Sequence, residues 1–193
     1  MANVCMVEYW CESKKEHLNE LNSVLKLLQN ANEPIVANSR GNLWLGCIVK
    51  QLGGNWKDVE CRGEVISFDY NGESLYMEQD TDWCEQEGFR RFLEYRFPGL
   101  KIYYLEIEPC TAWGSTNDVE RKHFPYRYYM SSSTGYDFFK TLEEVAEKVS
   151  KVVDFKVEPD FLAISNVLDD YTEEHEDDEE DSYYNLYEID LLD

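Results

Sequence analysis

Glu64-Val65-Ile66-Ser67-Phe68-Asp69-Tyr70, then Asn71-Gly72, then Glu73-Ser74-Leu75-Tyr76-Met77-Glu78-Gln79 reads as a β-hairpin. Asn-Gly suits a two-residue loop whose central residues both take positive φ. That turn predicts Tyr70 opposite Glu73, Phe68 opposite Leu75 and Ile66 opposite Met77, with Asp69 opposite Ser74 and Ser67 opposite Tyr76. One side of the hairpin is then apolar and the other mostly polar, the pattern of an antiparallel sheet covered on one face.

Three helical stretches punctuate the strands. Ser13 with Glu16 forms a capping-box pattern ahead of Leu18, Leu21, Val24, Leu25 and Leu28, which trace one helical face. A second helix is expected from near Asp82 through Phe89, Phe92 and Leu93, stopping before Pro98-Gly99. Thr141 with Glu144 caps a third, carrying Leu142, Val145, Ala146 and Val149. Strands are expected at Val4 to Cys11, Lys101 to Glu108 and Phe124 to Met130. The order strand, helix, hairpin, helix, strand predicts an α+β, ferredoxin-like two-layer sandwich, helices on one face of an antiparallel sheet, plus an extra C-terminal strand and helix. Residues 1–153 are read as this domain, with an insertion at about 33–57 that holds Trp44 and Gly53-Gly54.

Charge divides the chain differently. From Asp154 to Asp193 there are 16 acidic residues against one basic residue, Lys156, a net −15 of the chain's −22. Residues 154–193 therefore read as an acidic tail, with a short amphipathic helix from Pro159 and an aromatic end. Such a polyanion repels nucleic-acid backbones and anionic membranes and suits a basic partner. Tyr183, Tyr184, Leu186, Tyr187 and Ile189, with Asp177, Asp178, Glu179 and Glu180, are the candidate partner-binding residues. The apolar end segment can dock as a strand on a sheet edge, in its own molecule or in another.

The opening Met1-Ala2-Asn3-x-Cys5, the Gly53-Gly54-Asn55-Trp56-Lys57-Asp58 stretch, Trp83, and Phe97-Pro98-Gly99-Leu100 leading into Tyr103-Tyr104 resemble the YubB ferredoxin-like domain family. The resemblance spans most of residues 1–130 and implies a fold and a setting on plasmids, phages and related mobile elements, but no reaction. Val4 stands where that family often has Trp, and the acidic tail is no hallmark of it.

Chemistry has little purchase. The six cysteines make no Cys-x-x-Cys pair and the three histidines no zinc spacing, so neither metal nor cofactor is expected. Scattered cysteines read as small buried hydrophobes of a reducing compartment. Cys84 is the strongest nucleophile candidate, since a helix N-terminus would lower its pKa; a buried core cysteine is the plainer reading, and no catalytic residue is assigned. Tyr76, Tyr126, Tyr128 and Tyr129 would serve an RNA-binding sheet face if they shared one, yet no basic stripe accompanies them and a nucleic-acid partner is disfavoured. With no signal-peptide pattern at the N-terminus and no apolar run of about 20 residues, a cytoplasmic protein without a membrane partner is expected. The resulting expectation is a non-enzymatic protein-interaction module, a nucleic-acid charge mimic being its sharpest form.

Overall fold

A computed structural model describes residues 3–175 and 183–192. The chain is α+β and divides into two compact units, Met1–Cys110 and Thr111–Asp193. The charge boundary at 153/154 falls inside the second unit, at the left-handed Asp154 that ends a helix.

The first unit runs β1 (Val4–Glu12), α1 (Lys15–Gln29), α2 (Leu45–Gln51), β2 (Gly63–Tyr70), β3 (Ser74–Asp82), α3 (Glu87–Arg96) and β4 (Lys101–Glu108). Its strands lie in the order β2-β3-β1-β4, and every neighbouring pair is antiparallel. Alternate residues of β1, namely Cys5, Val7, Tyr9 and Cys11, are buried and join Leu18, Leu21, Leu25, Ile48, Phe89 and Leu93 of the helices in one core. The helical layer therefore covers one side of the sheet.

Between β2 and β3 the register differs from the expected one by two residues: Tyr70 faces Leu75 and Phe68 faces Met77. The reason is the turn. Only Gly72 takes positive φ, at 96°, so Gly72 and Glu73 are the central pair. The Asn71 side-chain oxygen accepts from the backbone N–H of Glu73 and Ser74, both at 2.9 Å. A two-residue shift preserves side-chain parity, so Phe68, Tyr70, Leu75 and Met77 still share the core face. Ile66 does not: a bulge between Val65 and Ser67 leaves it 52% exposed.

Two helix starts also differ. Ser13 makes no cap; its hydroxyl meets His17 Nδ1 at 3.1 Å and Lys14 occupies the cap position. The second helix begins at Glu87 rather than near Asp82, because β3 continues its ladder to Asp82, opposite Val4, and a turn with Trp83 at φ 73° intervenes. The insertion is ordered around α2. Gly53, at φ 86°, follows its C-terminal end, and a Cβ on Gly54 would lie 2.5 Å from the Phe92 ring; the glycine pair is a helix stop that lets α3 approach.

The second unit runs β5 (Trp113–Thr116), β6 (Tyr128–Ser132), β7 (Gly135–Phe139), α4 (Leu142–Val153), α5 (Phe161–Glu174), β8 (Tyr184–Glu188) and β9 (Asp190–Leu191). Thr141 caps α4 as expected, accepting from Glu144 N at 3.3 Å. Strand β6 starts at Tyr128, later than expected, since the Asp118 carboxylate draws the backbone N–H groups of His123 and Phe124 into a loop. β6 lies between β7 and β8, antiparallel to both, and β5 pairs in parallel with β9. Met130, Phe139, Val145, Val149, Ile164, Leu168 and Leu186 form this unit's core. No helix among the described residues is long and apolar enough to cross a membrane.

Candidate functional site

On the face of the first sheet opposite the helices, strand pairing brings carboxylates together. Glu8 of β1 lies directly opposite Glu78 of β3, and Asp80 of β3 directly opposite Glu64 of β2. All four have the parity opposite to the core residues Val7, Val65, Met77 and Gln79. Towards β4 this face is closed, with Leu105 and Ile107 each 2% exposed. Its β2–β3–β1 part is open, and a shallow groove of about 280 Å³ there is walled by Met6, Ile66, Glu8, Glu78 and Asp80.

Like charges directly opposite one another on an antiparallel pair are destabilising. Here the chain relieves them only in part. The Glu78 carboxylate accepts from the Ser67 hydroxyl at 2.6 Å and from the Tyr76 hydroxyl at 3.1 Å. Burial, then the Glu78 charge, pushes the Glu8 carboxyl up, with the nearby Tyr76 hydroxyl acting in the other direction. Burial and Asp80 likewise raise Glu64, while Arg40 pulls it down. Arg40 is itself engaged, bonding Asp82 Oδ1 at 2.5 Å. Chemically this is a cation-attracting surface with an apolar rim. Among the described residues no group of three or more His, Cys, Asp or Glu side chains could hold a metal ion.

The covered face carries a second acidic cluster, sealed in the core. Tyr9 donates its hydroxyl to Glu85 Oε1, Arg90 Nε approaches the same oxygen at 3.2 Å, and Glu85 N–H donates to Glu106 Oε2 at 2.6 Å. Burial pushes Glu85 up to about 7, against the opposing pull of Tyr9 and Arg90.

Cys84 borders this cluster in the turn before α3, two residues outside the helix cap at Gln86. Burial, and next Glu106, raise its thiol pKa, with Arg62 acting in the other direction. The geometry thus withholds the helix-terminal activation expected of it. Cys5, Cys11, Cys47 and Cys61 are free and buried. His17 packs against Phe97 at 5.5 Å and His175 stacks on Tyr171 at 4.0 Å.

The tyrosines considered for an RNA platform do not share a face. Tyr129 is fully buried, its β6 neighbour Tyr128 points to the other side against Phe161, and Tyr76 belongs to a different strand set. Of the C-terminal candidates, Tyr184, Leu186 and Tyr187 lie in β8, which pairs along β6 of its own molecule. Leu186 and Ile189 are buried, while Tyr183 is 42% exposed. Asp177, Asp178, Glu179 and Glu180 lie outside the described residues.

Sequence reasoning passed over Glu8, Glu64, Glu78 and Asp80. The available signal was acids at alternate positions of neighbouring strands, which identifies a shared polar face but not which acids stand opposite. Compared with protein-family profiles, curated proteins and solved structures, the chain matches none.

Proposed function

We propose that this protein is a non-enzymatic interaction module whose first unit, a ferredoxin-like domain, receives a basic protein segment on the open β2–β3–β1 face. The strand order β2-β3-β1-β4, antiparallel throughout, supports the ferredoxin-like reading. The resemblance to YubB-type proteins of mobile elements is in keeping with it. The observation that carries the function is the pair of like-charge cross-strand contacts, Glu8 with Glu78 and Glu64 with Asp80. Repulsion retained on an open face is relieved when an arginine or lysine side chain enters between the carboxylates, its stem lying along Met6 and Ile66. The chain's net charge of −22 adds long-range attraction for such a partner.

An arginine-rich peptide titrated into the full chain at low salt tests this. The Glu8→Gln/Glu78→Gln double variant should weaken binding by about fivefold or more, in line with charge-assisted hydrogen bonds. Glu173→Gln/Glu174→Gln, which changes the net charge equally on the exposed end of α5, should leave it nearly unchanged. Equal effects from the two pairs would reduce the attraction to bulk charge and defeat the proposal. Deleting residues 169–193 is a poor substitute, since it also removes β8 from its sheet.

A further inference from the structure

The second unit places its cations unevenly. Lys148 pairs with Asp137 at 3.0 Å, Lys151 with Glu147 at 2.8 Å and Lys156 with Glu158 at 3.0 Å. Arg121, Arg127 and Lys140 instead converge on one pocket of about 540 Å³. Backbone bonds build it: Arg127 N–H donates to Phe139 O at 2.8 Å, which sets the start of β6 beside Lys140 and the first turn of α4. Arg121 reaches in from the preceding loop, its guanidinium donating to Tyr126 O and, at 3.1 Å, to Ile189 O.

Holding these cations together has a cost. Burial, and next the Arg127 charge, lower the proton affinity of Arg121. Asp118 and Glu188 act on Arg121 in the opposite direction, but Oδ2 of Asp118 is already committed to the backbone N–H groups of His123 and Phe124. Neither Arg127 nor Lys140 has an ion-pair partner among the described residues, in a chain with 40 carboxylates. Among the described residues that line the pocket one is an acid, Glu143, and its own backbone N–H, then the Thr141 hydroxyl, hold its carboxyl below the usual range. One anion of the chain's own thus stands beside three cations and offsets them only in part, leaving the pocket net positive. Tyr128, Pro125 and Pro159 add apolar surface to the same wall.

We propose that this pocket binds a small phosphomonoester, its phosphate among Arg121, Arg127 and Lys140 and its organic body against Tyr128 and the two prolines. Three converging cations match a dianion with three terminal oxygens better than a carboxylate, and guanidinium forks suit phosphate geometry. The volume falls in the range of about 300–1,000 Å³ usual for small-molecule sites. A nucleic-acid strand, with a charge at every step, would meet the repulsion of a chain of net charge −22; a single phosphate ester meets far less of it.

Calorimetry on the full chain with phenyl phosphate, inorganic phosphate and phenol tests the assignment. Phenyl phosphate should bind, inorganic phosphate more weakly, and phenol not at all. Arg127→Ala and Lys140→Ala, both at exposed side chains, should each weaken phenyl phosphate by about tenfold, the scale of one charge-assisted contact. Glu143→Gln should tighten it by removing the competing carboxylate. Unchanged melting midpoints in the variants would show that the fold is intact. Inorganic phosphate binding as tightly as phenyl phosphate would overturn the ester assignment. No binding of either up to about 10 mM, weaker than any useful affinity, or binding indifferent to both cation variants, would overturn the site.

Discussion

The two faces of the first sheet treat carboxylates in opposite ways. On the covered face, Glu85 and Glu106 are sealed among Tyr9, Arg90 and the Glu85 backbone amide, because a buried charge without partners costs several kcal/mol. On the open face, Glu8 and Glu78 stand directly opposite each other, and Glu78 has two hydroxyl donors but no ion-pair partner among the described residues. Water makes such repulsion tolerable there, at about 0.2–1 kcal/mol per pair. The difference teaches that acids in the core must be reconciled by the fold, whereas acids on the surface can be left for a partner.

The largest expected contrast is in packing. Phe89 is fully buried in the first core, so Phe89→Ala should lose about 3–5 kcal/mol in denaturant unfolding. Ile66→Ala, across the sheet at the exposed bulge, should fall within about 0.5 kcal/mol of the parent. Similar losses at the two sites would break the distinction between covered and open faces.

The next contrast is in pH. Glu85, raised from 4.5 to about 7, holds a proton in the folded chain that the unfolded chain has already released between those values. Stability should therefore be greatest below about 4.5 with respect to this group and fall as pH rises towards about 7, by at most about 3 kcal/mol. Unfolding free energies measured across that window should decline in the parent and flatten in Glu85→Gln. A parent curve that rises, or one that the variant reproduces, would contradict the role given to the buried cluster.

The smallest effect sharpens the open face. Glu78→Gln removes the charge opposite Glu8 while keeping an acceptor for Ser67 and Tyr76, so stability should increase by about 0.5 kcal/mol at low salt. The Glu8 carboxyl, followed by NMR titration, should move down towards its ordinary value. A loss of stability would mean that the facing carboxylates are not in conflict.

Much of the fold was legible because local patterns and long-range packing agreed. The leucine spacing in α1, the Thr141 cap of α4 and the span Lys101–Glu108 all follow from residue order. The hairpin was legible as a hairpin but not in register, since whether Asn71 turns or caps depends on a side-chain hydrogen bond that the dipeptide does not specify. The start of α3 was displaced for a related reason: the helix start expected near Asp82 lost to the ladder that β3 makes with β1. Of the candidate sites, an uncovered sheet face was anticipated but not the acids that oppose one another on it, and the cationic pocket was not read as a site. Arg121, Arg127 and Lys140 are separated by loops and strands, and only the β6–β7 pairing and the start of α4 bring them together.

The sequence by itself determined the α+β class, the apolar faces of the helices and strands, and the strongly negative charge, because each follows from composition or from periodicities of 3.6 and 2. Tertiary structure alone decided which acids oppose one another, which are sealed in the core, and that β8 pairs with β6 of its own molecule. Those outcomes depend on register and on contacts between distant segments, where a shift of one or two residues changes every neighbour while leaving the local pattern intact.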